Sequence, residues 1–235
     1  MGRLYGITPF TLLDFPGETA CIAWFAGCNL RCVYCHNPEI VEGRGEKDDA
    51  ELVNFLKKRV GKLSGVVFSG GEATYYPGLA GLMRAAKELG YKTKLDTNGA
   101  RPDVLTGLLE EGILDYVALD YKCPPDRAAE ITGTDKFTSS FEQSLRLLIE
   151  ASRNGLGLEI RTTYHPDLMT EEELGAMMKK LDGLGYRGIY YIQGLASFGE
   201  KTLGGVRPPE RKADFSLLPE PENFRVSFRN FPDMQ

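Results

Sequence analysis

The chain has 235 residues, 42% hydrophobic and 26% charged, which is long and apolar enough to bury a substantial core without staples. Twenty-eight basic against thirty-three acidic residues leave a formal net charge of −5, which argues against a protein that coats nucleic acid or an anionic membrane. No apolar run approaches the roughly 20 residues of a membrane span, and the opening MGRLYGITPF lacks the apolar segment of a signal peptide, so a soluble, cytoplasmic protein is expected.

Taken in chain order, short β-rich runs alternate with longer helical patterns. Strands are expected at 19–25, 65–69, 91–96, 114–120, 156–163 and 188–193, and several read as nearly continuous apolar runs, as in strands covered on both faces. Helices are expected at 48–62, 78–89, 102–111, 139–154 and 170–184. Pro77 precedes the second, Pro102 opens the third, and a Thr/Ser cluster suited to capping precedes the fourth. This repeated βα pattern predicts an α/β fold with a parallel sheet and right-handed crossovers. An open twisted sheet, a partial barrel and a barrel missing two units all fit it. Only about forty residues follow Gln193, rich in Pro and charge, so a full eight-unit barrel is disfavoured. One domain over 1–235 is expected, with a core at about 19–195 and a C-terminal extension from about 196.

In parallel α/β folds the active site lies at the carboxyl ends of the strands. After the first strand comes Cys28-Asn29-Leu30-Arg31-Cys32-Val33-Tyr34-Cys35-His36, and after the second Ser69-Gly70-Gly71-Glu72. The third ends in Asp96-Thr97-Asn98-Gly99 and the fourth in Asp120-Tyr121-Lys122. The fifth carries Arg161 with His165 just beyond, and the sixth ends in Gln193. Polar chemistry is thus delivered to one rim by every strand, although Asp, Asn and Gly also favour turns for local reasons. An arginine inside a β-rich run needs a partner.

Cysteine usage carries the sharpest signal. Five cysteines without an export signal argue against a disulfide framework, and three of them form C-x3-C-x2-C on one loop. Cys28, Cys32 and Cys35 could hold three irons of a [4Fe-4S] cube, leaving the fourth iron open to a small ligand. The alternative is zinc, which would need a fourth ligand such as Cys21, Cys123 or a histidine. Gly70 and Gly71 permit close backbone approach to a ligand beside the Glu72 carboxylate.

Together these residues resemble the radical S-adenosylmethionine superfamily. The segments Gly6-Ile7-Thr8-Pro9-Phe10-Thr11-Leu12-Leu13-Asp14-Phe15-Pro16-Gly17, the cysteine loop through Asn37-Pro38, and Lys94-Leu95-Asp96-Thr97-Asn98-Gly99 are similar to glycyl-radical-enzyme activating enzymes. Of these, activators of anaerobic ribonucleoside-triphosphate reductase look nearest, with those of pyruvate formate-lyase close behind. The resemblance runs from about residue 4 to about 195, and it departs from many members at Ala73, where they have proline.

That resemblance implies a partial (βα)6 barrel with a C-terminal extension. It implies a [4Fe-4S] cluster on Cys28, Cys32 and Cys35 shielded by Tyr34, with S-adenosyl-L-methionine held by Gly70, Gly71 and Glu72. Asp96 and Asn98 would lie beside the cosubstrate, Asp96 near a cation, with Arg161 and His165 counted among the binding residues. Asp120 and Lys122, with Asp14, would present the glycine loop of a partner protein. The implied reaction is reductive cleavage of S-adenosylmethionine to a 5′-deoxyadenosyl radical that abstracts hydrogen from that glycine, with a flavodoxin or ferredoxin-type donor supplying the electron. No second cluster is expected. Two other readings stay open: a radical enzyme acting on a small molecule, similar to 7-carboxy-7-deazaguanine synthase, and a non-enzymatic metal-binding or electron-transfer module.

Overall fold

The computed structural model describes residues 4–196 and 198–231. Eight strands form one sheet in strict chain order. They are β1 Leu4–Thr11, β2 Ala20–Phe25, β3 Gly65–Gly70, β4 Lys92–Thr97, β5 Tyr116–Asp120, β6 Gly157–Thr163, β7 Ile189–Gln193 and β8 Arg225–Arg229. All neighbours from β2 to β8 are parallel, while β1 runs antiparallel to β2. The helices are α1 Pro38–Glu42, α2 Asp49–Arg59, α3 Leu79–Glu88, α4 Pro102–Glu110, α5 Ala128–Thr132, α6 Thr138–Arg153 and α7 Glu171–Gly183. β2 to β7 with their crossovers are the expected partial barrel. β1 and β8 are its outer strands and do not pair with each other, so among the described residues the sheet stays open. No helix among those residues is long and apolar enough to cross a membrane.

Two strands lay outside the expected set. β1 contains Gly6 and Pro9, which argue against a central strand. It survives as an edge strand, where Pro9 falls in the irregular stretch between the Thr8 and Thr11 pairings and costs no ladder bond. β8 is formed by the tail, which returns to pair with β7 from Ile189↔Arg225 to Gln193↔Arg229. Helix starts follow local chemistry where it is strong. Asp48 caps α2 through the Glu51 amide (2.9 Å), and Thr170 and Glu173 form a reciprocal capping box on α7. The Thr/Ser cluster before α6 does not cap it: Thr138, Ser139 and Ser140 lie inside the helix, and Phe137 precedes it with no side-chain cap bond.

Strand alternation sorts the sheet into two unlike faces. Leu95, Val117, Leu119 and Ile160 belong to the large apolar core shared with Leu105 and Leu108 of α4 and Leu145 and Leu148 of α6. The opposite face is layered along the strands. Its amino-terminal end is closed by Phe15, Ala20, Ile22 and Val67 with Tyr116 packed against them. Above that plug lie Lys94 and Glu159, both fully buried, then Asp96, Arg161 and Asp120 toward the carboxyl ends. A polar interior in an otherwise apolar fold is costly unless its charges are paired. Here they are.

Candidate active site

The carboxyl ends of the strands surround a cavity of about 250 Å³. The cysteine loop forms one wall. It leaves β2 at Gly27, whose amide donates to the Ile40 carbonyl (2.8 Å). Cys32 is buried, Cys28 and Cys35 are half-buried, all three are unpaired, and all three line the cavity. Burial pushes the Cys28 thiol up to about 12 and the Cys32 thiol up to about 11. A metal centre bound there would supply the positive charge that deprotonates a coordinating thiol outright. Three soft sulfur donors on one short loop suit an iron–sulfur cube, which spreads its ligands over three irons. Among the described residues, no three His, Cys, Asp or Glu side chains converge on a single-ion centre. Tyr34 lies buried behind the loop, its hydroxyl donating to the Lys122 carbonyl (3.3 Å).

The Gly70-Gly71 pair brings the end of β3 against the root of that loop. The Gly71 amide donates to the Phe25 carbonyl and the Glu72 amide to the Gly27 carbonyl, both at 2.9 Å. A Cβ on Gly71 would stand 2.1 Å from the Gly27 carbonyl oxygen. Glu72 then turns inward and is only 3% exposed. Its Oε1 accepts from the Thr74 amide (3.2 Å), the Thr74 hydroxyl (2.6 Å) and the Thr97 hydroxyl (2.8 Å), and its Oε2 from the Asn98 amide (2.7 Å). Burial raises its carboxyl pKa despite these donors. Glu72 therefore spends most of its acceptor capacity joining the β3 and β4 turns, and only Oε2 keeps a lone pair for a bound ammonium. The Asn98 side chain accepts from the Ala100 amide (3.0 Å), an Asx turn, and its Nδ2 donates to Asn29 of the cysteine loop (2.8 Å).

Facing the thiols is a ladder of alternating charge. Asp96 accepts from Lys94 Nζ (2.6 Å) and from the Ser69 hydroxyl (3.1 Å), and lies 3.6 Å from Arg161. Arg161 Nε donates to Asp120 (2.9 Å), its direct cross-strand neighbour, and Lys122 Nζ donates to the other Asp120 oxygen (3.0 Å). Burial pushes the Asp120 carboxyl up, but Arg161 and Lys122 outweigh it and hold it at about 2. Asp96 is likewise held below its ordinary value, burial being overcome by Lys94 and Arg161. Lys122 and Arg161 are shifted upward, the attraction of Asp120 exceeding the burial penalty. Lys94 Nζ is thus a fixed positive charge beside Asp96.

Asp14 lines the cavity from the β1–β2 loop, with the Thr11 hydroxyl donating to it. Of the residues expected to hold cluster, cosubstrate or partner, His165 alone lies outside this lining; Cys21 and Cys123, the alternative zinc ligands, lie outside it as well. The His165 Nδ1 accepts the Asp167 amide (3.3 Å) and its Nε2 donates to the Arg207 carbonyl (2.9 Å), so it anchors the tail and does not line this cavity. Sequence reading passed over Lys94, Glu159 and Trp24. A signal existed for the first two: each stands two residues before a flagged charge, hence on the same strand face. Nothing in the sequence marks Trp24, whose indole donates to Thr8 (2.8 Å) while lining the cavity.

The model of the Radical SAM superfamily matches residues 22–181. A pyruvate formate-lyase-activating enzyme of Clostridium pasteurianum is 33% identical over 92% of this chain and 90% of its own length. A pyruvate formate-lyase 1-activating enzyme of Escherichia coli K12 is 28% identical over 90% and 92% respectively. A Methanocaldococcus jannaschii protein named for glycyl-radical enzyme activation is 30% identical over 74% and 73%. Among solved structures, Streptococcus suis SuiB bound to S-adenosylmethionine shares the fold with a TM-score of 0.64 at 16% identity. The match covers 89% of this chain, which spans about half of that one. The chain belongs to the radical SAM superfamily and, within it, to the glycyl-radical enzyme activating enzymes; its cofactors are accordingly a [4Fe-4S] cluster and S-adenosylmethionine.

Proposed function

We propose that this radical SAM chain, acting as one domain, installs a glycyl radical on an enzyme of the pyruvate formate-lyase type. The similarity to pyruvate formate-lyase activators over nine-tenths of the chain supports that partner ahead of the anaerobic ribonucleotide reductase expected from sequence. Cys28, Cys32 and Cys35 are the cluster ligands in this reading. Gly70, Gly71, Glu72 and Asn98 hold the amino-acid end of S-adenosylmethionine, and the Asp96–Arg161–Asp120–Lys122 ladder lies alongside. When bound, cluster and cosubstrate together supply one-electron, hydrogen-abstracting chemistry. The chain's own part is to orient the reacting groups on rigid strand ends, to keep charge fixed by pairing, and to exclude water.

One observation carries the reading toward a protein substrate: the loop that delivers Asp14 to the cavity also projects Leu12 and Leu13, 63% and 87% exposed. Apolar side chains next to a cavity mouth suit a macromolecular substrate better than a small heterocycle, which needs only the closed pocket. The test is to reduce the anaerobically reconstituted protein with S-adenosylmethionine present and add a pyruvate formate-lyase-type or an anaerobic ribonucleotide reductase-type enzyme. A glycyl radical doublet by electron paramagnetic resonance is expected on the former. Doublet formation on the reductase alone would reassign the partner. Cosubstrate consumption with neither partner modified would favour a small-molecule substrate.

A further inference from the structure

The cysteine loop is held from both sides by main chain. On one side it donates: the Arg31 amide to the Thr132 carbonyl (2.8 Å) and the Val33 amide to the Ile131 carbonyl (2.9 Å). On the other side it accepts from the tail. The Leu203 amide donates to the Cys35 carbonyl (2.8 Å) and the Gly204 amide to the Val33 carbonyl (2.7 Å). Val33 is thus gripped through both of its peptide groups.

The tail segment that does this is prepared for it. Residues 199–206 close on themselves through the Gly199 amide to the Val206 carbonyl (2.6 Å). Thr202, 4% exposed, sits at the centre, its hydroxyl donating to the Gly199 carbonyl (2.8 Å) and accepting from the Val206 amide (2.7 Å). That closure aims two successive amides, of Leu203 and Gly204, at the cysteine loop. Contact is close enough that a Cβ on Gly204 would meet Val33 Cβ at 2.8 Å and its Cα and carbonyl oxygen at 2.9 Å. Beyond it the chain is riveted to the β6–α7 loop and the first turn of α7. His165 donates to the Arg207 carbonyl, Asp167 accepts the Glu210 and Arg211 amides (2.7 and 3.1 Å), and Arg211 makes a forked contact with Glu171 (2.7 Å to each oxygen).

We infer that residues 199–206 are a clasp that holds the cysteine loop in its ligand-presenting conformation before any cluster arrives. Thr202, Leu203 and Gly204 are its positioning residues, and His165 and Arg211 anchor it. The assignment of Cys28, Cys32 and Cys35 as cluster ligands is the reading on which it rests. Three thiols on a free eight-residue loop would have to be ordered by the cluster itself, at a cost in backbone entropy for each residue fixed. A clasp meets that cost during folding.

The experiment uses the full chain without cluster. Each cysteine's alkylation by iodoacetamide is followed by mass mapping at one pH in the parent and in Gly204→Ala, Thr202→Val and Thr202→Ser. Val keeps the shape of Thr202 and removes its hydroxyl, whereas Ser keeps the hydroxyl. Cys32 should alkylate at least fivefold faster in Gly204→Ala and Thr202→Val and at near the parent rate in Thr202→Ser, with the distant Cys21 unchanged in all. Iron retained after anaerobic reconstitution at limiting iron should fall by half or more in the first two variants only. Rates at Cys32 within twofold of the parent in both would overturn the clasp. So would an equal rise at Cys21, because the tail would then be a prop for the whole fold. A parent that bound no [4Fe-4S] cluster would overturn the ligand assignment while leaving the alkylation contrast to judge the clasp.

Discussion

Asp120 sits between Arg161 and Lys122, and its carboxyl at about 2 lies below the ordinary value near 3.9. A carboxyl depressed on folding adds stability that is complete above its unfolded pKa and is lost as pH falls through the folded one, worth roughly 2 kcal/mol here. Asp120→Asn should therefore be less stable than the parent at pH 7, with the gap shrinking by more than half by about pH 2.5, as read by urea unfolding. A gap that stayed constant with pH would show that Asp120 contributes through packing alone. Glu72 teaches a different lesson at the same scale. Its sequence context marks it as a ligand-binding acid, yet its Oε1 is filled by Thr74 and Thr97. Removing it would strand buried donors at a cost of about 1–3 kcal/mol each, so its alanine variant would confound binding with folding. Part of that occupancy comes from Thr97, twenty-five residues away in the chain, which no local motif records.

Elements whose pattern is strong were legible as sequence. β3, GVVFSG, is buried almost throughout, and its run of Val and Phe reads as a strand on propensity alone. α7 announces itself with Thr170 and Glu173 three apart before an apolar face. β1 was missed because its breakers are harmless only on an edge, and β8 because its neighbours in sequence are irregular and its partner β7 lies more than thirty residues earlier. The β3 turn is where an element and the site meet. Because a Cβ on Gly71 would press on the Gly27 carbonyl, Gly71→Ala must part β3 from the cysteine loop. The expected cost is about 1–3 kcal/mol, seen as a Tm several degrees lower, with slower iron incorporation into the variant. Parent-like melting and iron uptake would mean that the turn can yield without moving the loop.

At the scale of the molecule, an open sheet and an apolar lip shape what the cavity can accept. Leu13 is 87% exposed and adjoins Asp14, which lines the cavity. Leu13→Asp should leave melting and uncoupled cleavage of S-adenosylmethionine as in the parent, and lower glycyl radical yield on the partner enzyme several-fold. Partial desolvation of a carboxylate against an apolar partner surface opposes docking and nothing else. Parent-level radical yield would remove this lip from the interface. The tail adds a second large-scale feature, since one stretch of chain both supplies β8 and clasps the cysteine loop.

Local chemistry by itself determined the repeating βα units, the three-cysteine loop, and the delivery of polar residues to one rim, because periodicity and strand ends are properties of neighbouring residues. Tertiary structure alone decided the rest. That the sheet stays open among the described residues follows from β1 and β8 not pairing there. That Arg161 pairs with Asp120, forty-one residues away in the chain, follows from the register of two strands. That His165 serves the tail and not the cavity follows from a carbonyl forty-two residues away. Each is a contact between parts of the chain far apart in sequence, whose geometry is set only when the whole core packs.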